Sequence, residues 1–84
     1  MADRKTIEEA IRACIECSHL EVRGDDGAHF EALVVSPAFQ GLARVRRHQM
    51  VYAALGDRMR EEIHALSMIT MTPAEFALAR AQQQ

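Results

Sequence analysis

Few side chains in this sequence could bind iron or zinc through nitrogen or sulfur. They are four histidines and two cysteines: His19, His29, His48, His64, Cys14 and Cys17. Imidazole suits iron and zinc, and histidine can replace cysteine on one iron of a [2Fe–2S] cluster. His64 is the best placed, because the sequence changes there from a helical period to the alternation of a strand. Two histidines cannot complete such a cluster, so a partner would have to supply thiolates.

The two cysteines form a C-x-x-C pair, which occurs in zinc sites and redox centres. No second pair is present to complete a four-ligand zinc site. The pair also falls inside a helical pattern, with Cys14 on the apolar face. We therefore predict that Cys14 is a buried small hydrophobic residue and that both cysteines are thiols.

The motifs of the common enzyme classes are absent, so the chain is predicted not to be an enzyme. The paired carboxylates Asp25 and Asp26 lie in a predicted turn and lack the burial that would separate their pKa values. The turn also spells G-x-x-G, from Gly24 to Gly27, as in the backbone-clamping loop of some RNA-binding domains. Two carboxylates in that loop would repel phosphate, which favours a simple turn between strands.

Length and charge predict one small domain without a general affinity for polyanions. The chain has 84 residues, 49% of them hydrophobic, and a formal net charge of −2. We predict a single domain over residues 1–84 with an ordered core at about residues 6–80. No apolar run approaches the roughly 20 residues of a membrane span. The expected location is cytoplasmic.

The sequence nevertheless contains one local cluster of basic residues. It comprises Arg44, Arg46, Arg47 and His48. A predicted helix over residues 44–60 carries it, with Arg44, Arg47 and Arg58 on a face that can stay in water. The apolar side of that helix is predicted to contain Val45, His48, Tyr52, Leu55 and Met59. The cluster is either a solvated helix face or a surface that binds phosphate or a partner's carboxylates.

The remaining elements follow from capping signals and alternation. We predict a first helix over residues 6–17 that starts with a capping box from Thr6 to Glu9. Strands follow at His19–Arg23 and His29–Val35. Then come a helical turn with Ser36 as its N-cap, the long helix and a third strand over residues 64–71. A second capping box, from Thr72 to Glu75, precedes a last helix that starts at Pro73 and ends near residue 80. The first two strands should form a hairpin, and the helical crossover implies that the second and third strands are parallel. The order α-β-β-(turn)-α-β-α predicts an α+β fold, a three-stranded mixed sheet with helices on one face.

Several blocks together resemble the BolA family, nearest its IbaG-like bacterial branch. The blocks are residues 34–44, 47–52, 63–67 and 72–75, with the loop that ends at residues 27–30. The resemblance runs from about residue 7 to about residue 80. It implies a fold similar to class II KH domains and a role in which no reaction is catalysed.

The resemblance also implies a partner and a cofactor. BolA-family proteins pair with monothiol glutaredoxins, which supply thiolates with glutathione, while the third-strand histidine ligates a bridging [2Fe–2S] cluster. That histidine matches His64; the alternative for His64 is a structural histidine bonded to a backbone carbonyl. Where several relatives carry a loop cysteine, this sequence has Asp26, so the second ligand is His29, Asp26 or absent. The isolated chain is expected to bind no cluster and to be a monomer or a weak homodimer.

Two other functions stay open at this point. BolA proteins have been regarded as transcriptional regulators with a helix-turn-helix-like segment, here residues 36–60. The basic cluster at the start of the long helix would then contact DNA, with modest and salt-sensitive affinity because the domain is acidic overall. The last interpretation is a stress-linked interaction module that binds neither metal nor nucleic acid.

Overall fold

A three-stranded sheet forms the centre of the computed structural model, which describes residues 3–24, 26, 28–61 and 65–83. The elements in chain order are α1 (Arg4–Cys14), β1 (His19–Arg23), β2 (His29–Val35), a 3₁₀ turn (Pro37–Phe39), α2 (Arg44–Leu55), α3 (Arg58–Glu61), β3 (Ala65–Met71) and α4 (Pro73–Ala81). The predicted α+β order is confirmed, with the short α3 as an addition.

The strand order is β1-β2-β3, so β2 lies in the middle. β1 pairs with β2 in antiparallel orientation, with Val22 opposite Ala32. β2 pairs with β3 in parallel orientation, with Ala32 opposite Met68. Both the predicted hairpin and the parallel pair formed by a helical crossover are therefore present.

One face of this sheet carries the hydrophobic core. Alternate strand residues point to that face, among them Val22, Phe30 and Val34, all nearly or fully buried. They form one cluster with residues of α1, α2 and the 3₁₀ turn: Ile7, Ile11, Val51, Leu55 and Phe39. The two helices thus lie on the same side of the sheet. Among the described ranges, no helix is long and apolar enough to cross a bilayer.

The first helix begins earlier than predicted, because Asp3 caps it. The Asp3 carboxylate accepts a hydrogen bond from the Thr6 backbone N–H at 2.8 Å, and this bond lowers the pKa of Asp3. Thr6 is therefore inside the helix, and the predicted capping box from Thr6 to Glu9 is wrong. The signal for an Asp cap was present in the sequence and competed with the Thr signal.

The predicted burial of Cys14 is also wrong, since Cys14 is exposed. The helix ends at Cys14, and Ile15 takes an extended conformation with φ −130° and ψ 127°. Because the chain leaves the helix there, Ile15 fills the core position instead, with 4% exposure. Cys17 is half-buried outside the helix, and burial raises the pKa of its thiol.

The predicted long helix is divided in two, and its buried face differs from the prediction. α2 ends at Leu55, and Gly56 follows with φ +56°, a conformation that favours glycine. Val45 and Tyr52, predicted on the apolar side, are 62% and 42% exposed, whereas Val51 is fully buried. Since the helix ends before Met59, the five predicted apolar positions do not share one continuous face.

The predicted helix caps at Ser36 and Thr72 are confirmed. The Ser36 hydroxyl accepts from the Ala38 N–H at 3.0 Å and starts the 3₁₀ turn. Thr72 and Glu75 form a reciprocal capping box at the start of α4. Both caps are buried, and Ser36 N–H donates to the Met71 carbonyl at 2.9 Å, which ties the end of β2 to the end of β3.

Two valines of α2 provide a matched test of the buried face. Val51→Ala should lower the free energy of unfolding by roughly 1.5–3 kcal/mol, since it removes buried methyl groups and leaves a cavity. Val45→Ala is the control and should change stability little, because Val45 is exposed and alanine favours a helix. Urea denaturation monitored by circular dichroism measures both. Equal losses would contradict this assignment of faces.

Candidate metal centre

The histidine at the start of β2, His29, lies beside a tight β1–β2 connection. Gly24, which follows β1, sits so close to this strand that a Cβ atom there would lie 2.5 Å from the Phe30 ring and 2.6 Å from the His29 carbonyl oxygen. Only glycine permits that approach. His29 is thereby placed at the turn end of the hairpin, with 63% of its side chain exposed.

The Asp26 carboxylate makes three hydrogen bonds, one to Ala28 and two to His29. One carboxylate oxygen, Oδ1, accepts the backbone N–H groups of Ala28 at 2.9 Å and of His29 at 2.8 Å. The other, Oδ2, lies 2.7 Å from His29 Nδ1. These bonds, the backbone bond from His29 first, hold the pKa of Asp26 well below its usual range. Asp26 is therefore an ionised acceptor, and His29 Nδ1 must be the donor.

The sheet brings His29 next to the beginning of β3. His29 is paired in register with Ala65, and Ala65 N–H donates to the Ala28 carbonyl at 3.2 Å. His64, the predicted ligand, lies outside the described residues, as does the predicted opening of the strand at that residue. In the sequence it directly precedes Ala65.

An open depression of mixed charge surrounds the Asp26–His29 pair. Its lining includes Arg4 of α1, Arg23 of β1, Glu31 of β2 and Ser67 of β3. Across the described part of the chain, no three His, Cys, Asp or Glu side chains gather as they do in a complete metal site. Any metal here would need further ligands from another source.

The other two described histidines do not line this depression. His19 pairs with Val35 in the sheet, at the far end of β2 and roughly 20 Å from His29. Its Nε2 lies 3.0 Å from Glu21, and its ring stacks on Phe76 with centroids 4.7 Å apart. His48 is half-buried on α2, and its Nε2 finds no hydrogen-bond partner among the described residues.

Comparison with known proteins decides the family. Residues 11–75 match the family described as BolA-like protein. The chain belongs to this family. The acid stress protein IbaG of Escherichia coli strain K12 is 33% identical over 79 residues, which cover 93% of each chain. The crystal structure of a bol-like protein from Babesia bovis superposes with a TM-score of 0.85 at 31% identity and covers 95% of each chain. The predicted family and fold are thus confirmed.

A plant relative shows the same domain inside a larger protein. SufE-like protein 1, chloroplastic/mitochondrial, of Arabidopsis thaliana is 48% identical over 61 residues. That alignment covers 68% of this chain but 16% of the plant protein. The chain therefore spans a small part of that relative, and the similarity concerns the BolA-like domain.

The basic cluster on this BolA-like domain is not the uniform exposed face that the sequence predicts. Arg44 and Arg46 are exposed, but only 12% of the Arg47 side chain is accessible. Arg47 donates to the Leu42 carbonyl at 2.9 Å and to the Thr70 carbonyl at 3.3 Å. It also binds Glu75 with both terminal nitrogens, at 2.6 and 3.2 Å. The prediction that Arg47 stays in water is wrong, because this side chain ties α2 to β3 and α4.

Glu75 is the partner that sequence reasoning did not find. Its Oε1 also accepts the Thr72 N–H at 2.9 Å, so one carboxylate serves both the capping box and the ion pair. Arg47 above all lowers the pKa of Glu75 to about 2. The capping box was visible in the sequence, whereas the contact across 28 positions required the fold.

The Arg47–Glu75 pair predicts a defined acid sensitivity. The Glu75 pKa is about 2 in the folded state and ordinarily 4.5. The stabilisation is therefore complete above about pH 4.5 and is lost as the pH falls toward 2. The free energy of unfolding should decrease more steeply over this window in the wild type than in Glu75→Gln.

Denaturant titrations at a series of pH values measure this difference. Glu9→Gln is the control, since Glu9 is exposed on α1, and it should retain the wild-type pH dependence. Parallel curves for the wild type and Glu75→Gln would contradict a stabilising role for the ionised pair.

Proposed function

We propose that this BolA-like domain is a non-enzymatic partner of a monothiol glutaredoxin in iron–sulfur cluster binding, assembly or trafficking. A bridging [2Fe–2S] cluster would be held by His64 and His29 on this chain and by thiolates of glutaredoxin and glutathione. The observation that carries the proposal is the register of the sheet. The Asp26-held His29 lies beside Ala65, the residue that follows His64 in sequence.

The donor set supports an iron–sulfur cluster shared with a partner. Imidazole is a ligand that iron accepts, and histidine can occupy one iron while thiolates occupy the other. His29 is exposed at the turn end of the hairpin and can be reached by a second protein. A site with one or two histidines lacks the remaining ligands of a cluster. A thiolate-bearing partner would supply them.

The chain's own thiols do not complete this site. Arg4, at the start of α1, lines the depression around His29. Cys14 ends the same helix, roughly 15 Å further along its axis. Cys17 directly precedes Ser18, whose N–H donates to the Val35 carbonyl at the end of β2 opposite to His29. We therefore assign the thiolates to the partner.

The exposed arginines lie away from the proposed cluster site. Arg47 binds the Thr70 carbonyl, and Thr70 is five residues, or roughly 16 Å, along β3 from Ala65. Arg44 and Arg46 precede Arg47 on the same helix, so they belong to that end of the sheet. They can contact a protein as large as a glutaredoxin but not the cluster.

Nucleic-acid binding has less support than the cluster role. Arg47 is committed to Glu75 and two carbonyls, and the buried Nε2 of His48 cannot reach a phosphate group. Arg44 and Arg46 remain as exposed cations in this cluster, on a domain of net charge −2. Any DNA affinity should be weak and should fall steeply with salt.

Histidine variants test the proposed function directly. The chain is mixed with a monothiol glutaredoxin, glutathione, ferrous iron and sulfide under anaerobic conditions. Visible absorption and circular dichroism should report a heterocomplex whose spectrum differs from that of glutaredoxin alone. His64→Ala should restore the glutaredoxin spectrum, and His29→Ala should yield an altered, less stable cluster. His19→Ala is the control, because His19 lies at the other end of β2.

The contradicting result is a spectrum that this chain leaves unchanged, with no heterocomplex on gel filtration. Salt-dependent DNA binding, lost in the double variant Arg44→Ala/Arg46→Ala, would then favour the regulator function. Loss of the heterocomplex spectrum in His19→Ala alone would place the ligand at the wrong end of the sheet and would also overturn the assignment.

A further inference from the structure

We propose that Asp26 is a positioning residue that orients the His29 ring and fixes its tautomer, so that Nε2 is the metal-binding nitrogen. The proposal rests on the proposed function, since it concerns how His29 would ligate the cluster. It assigns Asp26 a supporting role in place of the ligand role that the sequence left open.

The geometry makes Asp26 a rigid support. Two backbone N–H groups, of Ala28 and His29, converge on its Oδ1. They fix the carboxylate to the loop, so Oδ2 meets His29 Nδ1 at 2.7 Å from a defined direction. A ring restrained at one nitrogen by an anchored group has little freedom to turn about its side-chain torsions. The aspartate thus orders both the loop and the imidazole.

The hydrogen bond also selects the tautomer. An ionised carboxylate only accepts, so the neutral imidazole must carry its proton on Nδ1. Its lone pair is then on Nε2, the nitrogen that points away from Asp26. Histidine ligands of metals commonly donate their other ring N–H to a carboxylate, which orients the ring and increases its basicity. Asp26 and His29 have this arrangement within a four-residue turn.

The chemistry of the two side chains favours the same division of roles. Imidazole suits iron in mixed nitrogen and sulfur sites, whereas carboxylates suit harder cations. Asp26 already accepts three hydrogen bonds, and ligation through it would weaken bonds that shape the turn.

The Asp26→Asn substitution should change the tautomer of His29 without changing the fold of the loop. The amide oxygen can still accept the two backbone N–H groups, while its NH₂ group faces Nδ1 and donates to it. The His29 proton should then move to Nε2. ¹⁵N shifts of the His29 ring, measured on the apo protein at a pH where the ring is neutral, should report Nδ1–H in the wild type and Nε2–H in the variant.

The same variant should weaken the cluster. Loss of a supporting carboxylate typically reduces metal affinity about 10- to 100-fold, so the heterocomplex of Asp26→Asn should lose its cluster to a chelator faster by about that factor. In a His29→Ala background the substitution should have no further effect. Asp57→Asn, an exposed aspartate in the turn after α2, is the control for loss of one charge.

The outcomes distinguish this proposal from the proposed function. An Nε2–H ring in the wild type, or an unchanged tautomer in Asp26→Asn, overturns the positioning role whether or not a cluster forms. If His64→Ala removes the cluster but His29→Ala and Asp26→Asn do not alter it, the glutaredoxin role stands and the positioning role fails. If the wild type forms no heterocomplex, the proposed function fails, and Asp26 then positions no cluster ligand.

Discussion

The parallel pairing of β2 with β3 is the constraint on which the rest of the molecule depends. It joins two strands that are distant in sequence, and a parallel pair requires a crossover, here the 3₁₀ turn and α2. At one end this pairing brings His29 beside Ala65; at the other it places Val35 beside Met71, where Ser36 N–H donates to the Met71 carbonyl. The candidate site thus lies at one end of the β2–β3 pair, and the hydrogen bond between Ser36 and Met71 lies at the other end.

Local rules predicted the strands and the later caps from sequence. The bounds of β1 and β2 match the predicted ranges. Alternation in β1 and a near-continuous apolar run in β2 are both local properties of the strand sequence, so they can be recognised without the fold. The caps at Ser36 and Thr72 were predicted for a similar reason, since a cap joins residues within four positions. The hairpin, the parallel crossover and hence the fold class followed from these elements.

The wrong predictions concern contacts between elements. Val45 and Tyr52 fit an apolar stripe, yet the sheet meets α2 through Val51 and Leu55, and only the packing decides between two neighbouring helix faces. Arg47 was predicted in water because its acidic partner lies 28 residues away. The Asp26–His29 contact is different: a carboxylate three residues before a histidine was visible in the sequence, and the predicted turn could have suggested it.

The central claim is that imidazole nitrogens of this chain ligate a cluster shared with a glutaredoxin. Pulsed electron paramagnetic resonance of the reduced heterocomplex, with ¹⁵N-histidine in this chain only, measures that bond most directly. We expect ¹⁵N couplings from two directly bound imidazoles, one of which disappears in His29→Ala and the other in His64→Ala. A heterocomplex cluster without any ¹⁵N coupling of that strength would contradict it.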